Sequence, residues 1–388
     1  MGEPGRERRF GEDAGWRRPS FLELLFDLVF VYALNQISAR LIADFRTGGQ
    51  LRWSEAVATV LLFLAFWGLW MTTVALTSRL DPDSLPLEII LYLSMVGAAV
   101  MGVVATQGFE GRALVFAGAY VAVRIGRLAP FPVFRLPLST LITLAIVLSA
   151  PPWITGALVA DRGQRAVLWA LALAIDFGGF ALGVQRWSRG QVAGEHLAER
   201  LQQLFLITLG ETIFVSSKAL TDSDFRVPHA AGFGLAFAST LLFWRIYFYR
   251  AGAVMPQAVT AAGNPVRESA VVGAVHLPMI AGVVLAGAGF ELYITQPLAR
   301  PHPQWLIAIL GGPALFLIGR AALRFEVLGR VSRARLAGVL ALGLLTPATW
   351  YAPPLAAGGA VAVVLAAVAG SYAWRARGRA PEQPTPRF

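Results

Sequence analysis

The sequence predicts an all-α polytopic membrane protein of about twelve transmembrane helices. Three observations predict it. Apolar residues make up 56% of the 388 positions and charged residues only 14%, where a soluble domain carries about 25% charged. Apolar runs long enough to cross a bilayer as a helix, about 20 residues each, recur from end to end of the chain. The arginines fall between these runs instead of gathering into a basic domain, as loop residues that set membrane topology do.

The runs lie near 21–42, 55–77, 86–107, 112–128, 136–159, 164–185, 197–220, 229–250, 268–293, 304–324, 334–351 and 354–374. Residues 1–20 hold both charge signs and two prolines without an apolar core. They read as a short cytoplasmic tail, and the first run as a retained helix and not a signal peptide. The fourth run is short. The fifth contains Pro151 and Pro152, which are expected to break or kink it, because proline removes a donor and clashes one turn back. Only Pro353 and Pro354 separate the last two runs. They also fit a re-entrant pair, which would leave eleven spans. Residues 375–388, with three prolines and several arginines, read as a disordered cytoplasmic tail.

Twelve spans with the N-terminus inside would put 24 of the 33 basic residues on the cytoplasmic side and 9 outside. That bias favours both termini in the cytoplasm of a bacterial inner-membrane protein. An internal repeat is also legible. Glu23 and Glu199 open spans one and seven, 176 positions apart. FWGLW around Trp67 recurs as FWRIY around Trp244, 177 apart, and RIGR with Gly126 recurs as LIGR with Gly319, 193 apart. Two six-helix halves, 21–185 and 186–374, would share one orientation, the parallel-repeat pattern of some transporters. The competing explanation is that Trp and Arg recur at helix ends by interfacial preference.

Several function classes are excluded. The net charge of +10 is spread over loops, so nucleic acid is not an expected partner. The chain has no Cys, and its four His show no i,i+4 metal spacing, so no metal or cofactor is expected. No GxxxxGK[ST] element is present, which argues against ATP-driven transport by this chain alone. The expected partners are the lipid bilayer and an unidentified small solute or ion; the oligomeric state is left open.

The chemistry-bearing residues sit inside the apolar runs. On a helix that turns about 100° per residue, Asp27 lies about 40° from Glu23, and Asn35 and Ser38 fall on the same side. Ionisable groups at membrane depth rarely face lipid, so this face must turn to other helices or a wet cavity. Such a carboxylate pair fits a proton or cation relay, or a buried ion-pair network that fixes packing. In span seven, Glu199, Gln203, Glu211 and Lys218 form a second polar stripe, and Glu211 lies near mid-membrane. Lys218 is the sole lysine; an acid partner or an interfacial anchor is expected for it. Arg124, Arg127, Arg245, Arg320 and Arg324 are candidate counter-charges, because a membrane-buried arginine is expected to need a carboxylate; the favoured reading for each is that it snorkels to the cytoplasmic surface. His276 in span nine reads as a hydrogen-bonded packing residue. Trp67, Trp70 and Trp244 are expected at the interface or facing lipid, with lining of a cavity as the alternative. Asp81 and Asp83 in DPDSL read as a turn.

ELLFDLVFVYALNQIS, Glu23 to Ser38, resembles the E-L-F-F-D-L-V-F-V signature of the low temperature requirement protein A (LtrA) family, with Leu25-Phe26 in place of its phenylalanine pair. ERLQQLFLITLGETI, Glu199 to Ile213, resembles that family's second signature, a Glu-Arg pair followed by Leu-Gly-Glu. The matched positions are Glu23, Phe26, Asp27, Phe30, Glu199, Arg200, Gly210 and Glu211. The resemblance implies a bacterial inner-membrane protein with a link to growth in the cold, and supplies no molecular activity. A looser likeness, of FDLVF to the Phe-Ser-Asp motif of a six-span potassium-channel family, lacks the serine.

Together these features lead to an expected secondary transporter or ion- or proton-coupled permease, with Asp27 beside Glu211 in a polar cavity and Glu23 and Glu199 nearer one mouth. The alternatives are an intramembrane enzyme acting on a lipid or prenyl substrate, and a structural or sensory membrane protein without flux.

Overall fold

The computed structural model describes residues 19–46, 53–129 apart from 79 and 82, 140–187, 194–249, and 253–376 apart from 264 and 301. Among these the chain is helical without a strand. The helices are α1 (Phe21–Arg46), α2 (Trp53–Thr77), α3 (Leu85–Val104), α4 (Ala113–Gly126), α5 (Thr140–Leu158), α6 (Arg162–Trp187), α7 (Gly194–Thr221), α8 (Val227–Tyr247), α9 (Ala253–Thr260), α10 (Pro265–Thr295), α11 (Pro303–Leu328), α12 (Arg333–Thr349) and α13 (Pro354–Ala376). Each apolar run of the sequence falls on one of them, and α9 is an addition. Ten are long and apolar enough to cross a membrane. The other two that fall on apolar runs are shorter: α4 has 14 residues and α12 has 17, about 21 and 26 Å against a hydrocarbon core of roughly 30 Å.

The tail expected at 1–20 lies outside the described residues up to position 18, and the C-terminal one from position 377. Arg375 and Ala376, expected in that tail, belong to α13. The expected division between halves, 185/186, falls in the last turn of α6, just before the undescribed residues 188–193.

Around an apolar core, burial departs from that of a water-soluble protein in two ways. Leu28, Tyr32, Val96, Val103 and Leu144 are exposed on the outer surface, while Glu23, Asp27, Arg124, Arg200 and Arg320 are buried. This is the arrangement expected when the surroundings are hydrocarbon. Of the break or kink expected in the fifth run, the break does not occur. Pro151 and Pro152 sit inside a continuous α5. Each proline removes one donor, leaving the carbonyls of Val147 and Leu148 without their helical partners, and the bonds on either side carry the helix through, as transmembrane helices tolerate.

Helix α10 seats on α11 through glycine. A Cβ on Gly282 would lie 2.5 Å from the Phe316 nitrogen, and one on Gly312 would lie 2.5 Å from the Ala286 nitrogen. Backbone meets backbone there, the small-residue packing that membrane helices use in place of a hydrophobic driving force. Helix α11 itself opens with a π turn at Ile307–Gly311 and ends on Gly329, at φ 62°, whose N–H bonds to the Phe325 carbonyl. This is the left-handed cap that glycine supplies.

Candidate functional site

Helices α1 and α7 lie side by side, joined by three polar rungs. His196 Nε2 is 3.3 Å from Glu23, Arg200 Nη2 is 2.7 Å from Asp27 Oδ1, and Asn35 Nδ2 donates to Glu211 Oε1. The partners are 173, 173 and 176 positions apart. A near-constant separation that rises along both helices means that they run parallel. The rungs span about 18 Å of helix axis, from the helical rise over the twelve positions between Glu23 and Asn35.

The first rung is partly a helix terminus. Ser20 Oγ accepts the Glu23 N–H at 3.2 Å, and Glu23 Oε2 accepts the Ser20 N–H at 2.9 Å. This is the reciprocal capping box of an S-x-x-E start. Glu23 is therefore held in place as a cap as well as facing His196.

The second rung is the most enclosed. Asp27 and Arg200 are both fully buried. Asp27 Oδ1 accepts from Arg200 and also from Trp70 Nε1 at 2.8 Å. Phe26, Phe30 and Phe66 complete the wall, with Phe30 6.3 Å from both Phe66 and Trp70 and the Arg200 guanidinium 5.9 Å above Phe26. This corrects two expectations. Asp27 meets Arg200 and not Glu211. Trp67 and Trp70, expected near lipid, are buried against each other 5.6 Å apart, because the indole N–H of Trp70 answers the carboxylate. Trp244 is 46% exposed, as expected. Around this rung Asp27 Oδ2, Arg200 Nε and Nη1, His196 Nδ1 and Gln203 Oε1 are buried without a hydrogen-bond partner among the described residues.

The third rung is more open. Glu211 and Asn35 are half-buried, and Gln36 Nε2 lies 3.5 Å from Asn35 Oδ1. Beyond it Ile42, Val215 and Ala288 form a small apolar group between α1, α7 and α10. Then come surface ions, with Arg46 2.9 Å from Glu291. Lys218 pairs with Asp222 one turn on and is 76% exposed; it lies away from the carboxylates of the seam. Glu199 is half-buried on α7 next to Arg200.

The remaining candidates divide between the halves. Arg124 pairs with Asp176, which also accepts from Tyr120 at 3.0 Å and Trp153 at 3.2 Å. So a second Asp–Arg–Trp set lies in the first six helices. Arg127 and Arg320 are both buried, and Arg127 has no carboxylate in bonding range among the described residues, against the expectation that one is required. Arg127 donates to Ser94 and Thr72 at 3.0 Å, to Thr73 at 2.6 Å and to the Leu69 carbonyl at 3.4 Å. Arg320 donates to the Ile246 and Tyr247 carbonyls at 3.1 and 2.8 Å, where the negative end of the α8 dipole supplies the counter-charge. Neither snorkels. Arg245 is half-buried over the Tyr249 ring, 4.2 Å from its centre. His276 bonds Tyr247 at 2.8 Å and its own Val272 carbonyl at 2.6 Å, a packing residue as expected.

Sequence reasoning missed Arg200 as the partner of Asp27, and Ser20 as a cap. The signal for Ser20 was present, since S-x-x-E before an apolar run is a capping box. Arg200 followed Glu199 in the quoted motif, but nothing local connected it to α1. Asp81 accepts the Asp83 N–H at 3.1 Å, so DPDSL is the expected turn. Among the described residues no three His, Asp or Glu are grouped to hold a metal.

The sequence was compared with known proteins. The profile of the bacterial low temperature requirement A protein (LtrA) matches residues 18–370. An uncharacterized protein of Rhizobium meliloti (strain 1021) is 32% identical over 326 residues, covering 79% of this chain and 77% of its own. No solved structure matches. With both signature runs on the paired faces of α1 and α7 and the profile spanning all but the ends, the chain is an integral, multi-pass membrane protein that belongs to the bacterial LtrA family.

Proposed function

We infer that the protein is a secondary transporter or ion- or proton-coupled permease of the bacterial inner membrane, with the α1–α7 seam as its path. The observation that carries this reading is the rung ladder with its unpartnered buried donors and acceptors. An unsatisfied buried polar group costs about 1–3 kcal/mol, and a short chain of water or a small polar solute would satisfy this set. Glu211 is the group to exchange protons. Its partner is a neutral amide, so protonation strands no counter-charge. Asp27 is the fixed member, because neutralising it would strand Arg200.

Two parallel six-helix halves, with both termini cytoplasmic, are part of the same reading. Neighbour relations recur between the halves. Helix α1 packs on α3 as α7 packs on α10; α3 on α4 as α10 on α11; α2 on α6 as α8 on α13; and α5 on α6 as α12 on α13. A single contact recurs too. Arg127 holds the Leu69 carbonyl and Arg320 that of Ile246. Leu69 and Ile246 are 177 positions apart and the two arginines 193, the offsets read from the motifs. Parallel α1 and α7 require an odd number of membrane crossings between them, and α2–α6 make five when α4 counts as a span. Arrangements of this kind work by rocking one half against the other.

The test is flux in proteoliposomes carrying an internal pH dye, under imposed sodium, potassium and proton gradients. Wild type is expected to move protons with one of these gradients, and Glu211→Gln to abolish the movement. Folded Asp27→Asn and Glu211→Gln proteins that both keep wild-type flux would end this reading. The enclosed pairing of Asp27 with Arg200 and Trp70 favours one second reading, a structural or sensory protein, which predicts no flux from wild type either.

A further inference from the structure

Away from the seam, α11 and α12 diverge around a cavity of about 630 Å³. Its size falls within the roughly 300–1,000 Å³ of small-molecule sites. Leu306, Leu310 and Leu342 form its walls. Gly311 and Gly343 line it from opposite helices, and a Cβ at Gly343 would meet nothing within 4 Å. The π turn at Ile307–Gly311 bulges α11 at this level, and such single-turn bulges are frequent at functional sites. The lining is mostly apolar, with no carboxylate among the described residues.

The two ends differ. His302, Gln304 and Trp350 close one end. Gln304 and Trp305 tie that end to the Phe45 carbonyl, near the C-terminus of α1, at 3.3 and 3.0 Å. Trp350 is 43% exposed and Tyr351 is 88% exposed, the amphipathic aromatics that mark a membrane–water interface. From His302 the lining descends along α11 to Ala314, about 18 Å by the helical rise. One leaflet of hydrocarbon is about 15 Å deep. Leu340 and Leu344, 68% and 77% exposed on α12, flank the opening, so it faces acyl chains.

We propose that this cleft seats one acyl chain of a bilayer phospholipid, with the phosphate at the His302–Gln304 end beside Trp350. Its depth matches a leaflet, its floor is glycine where a chain must lie close, and its only hydrogen-bonding end stands at the interface. This reading is independent of transport through the seam.

The experiment is native mass spectrometry of the protein reconstituted in mixed phosphatidylethanolamine–phosphatidylglycerol nanodiscs and released. Wild type is expected to retain one phospholipid. Gly343→Phe places a ring in open space, so its helical signal and melting temperature should hold while the lipid-bound fraction falls about tenfold. Gly311→Leu fills the cleft from the other wall and guards against a folding artefact. His302→Ala should weaken retention by a smaller factor, because only the headgroup contact is lost. The proposal is overturned if both filled variants keep wild-type lipid, if wild type carries detergent only, or if the cleft is protected only in a dimer.

Discussion

Asp27 shows how much one side chain decides. Its carboxylate has a charged donor and an indole donor on the same oxygen, at full burial. Removing one member of a buried pair leaves the other uncompensated, at a cost of roughly 3–5 kcal/mol. Arg200→Gln is therefore expected to lower the thermal midpoint in detergent, followed by circular dichroism, far more than Lys218→Met, which alters only an exposed pair. Asp27→Leu combined with Arg200→Met should lose less than the two single changes summed. At the cap, Ser20→Ala is expected to cost about 1 kcal/mol in the same assay. The common face of Glu23 and Asp27 was legible from helical rotation alone. Their partners were not, because they enter 173 positions later and no local spacing encodes them. Arg127 was misjudged for a different reason. The argument weighed charge against charge, whereas three hydroxyls and a carbonyl together satisfy a guanidinium.

Among the elements, hydropathy located each apolar helix because length and apolarity suffice for a span. It could not foresee how helices meet. The α10–α11 contact depends on glycines that the sequence shows only as small residues. A side chain at Gly312 would press on the Ala286 backbone, and backbone cannot rotate away. Gly312→Leu is expected to lower the thermal midpoint, by an overpacking cost of about 1–3 kcal/mol or more, whereas Gly118→Ala on α4, with open space around it, should be neutral. The α5 prolines do not break their helix. Proline rules describe isolated helices, and a helix packed on α6 and α4 survives two lost donors.

For the whole molecule, the parallel course of α1 and α7 makes a cross-linking prediction. The chain has no cysteine, so an engineered pair has no background. Ile42→Cys with Val215→Cys is expected to cross-link on mild oxidation, since both lie in one apolar group. Ser20→Cys with Val215→Cys, at opposite ends of the seam, should not. Three motif coincidences suggested a repeat in sequence, and the recurring neighbour relations support the two-half arrangement proposed above. The added helix α9 had no such hint, because eight residues with an internal proline resemble a loop.

Lys218 allows a measurement that most membrane proteins do not. It is the single lysine of the chain, it projects from the end of α7, and it is 76% exposed. Apart from the terminal amine, an amine-reactive dye has one place to attach. A fluorophore introduced there without any substitution would report on α7, and its distance to a label on an engineered cysteine in α2 would follow any relative movement of the two helices in an otherwise native chain.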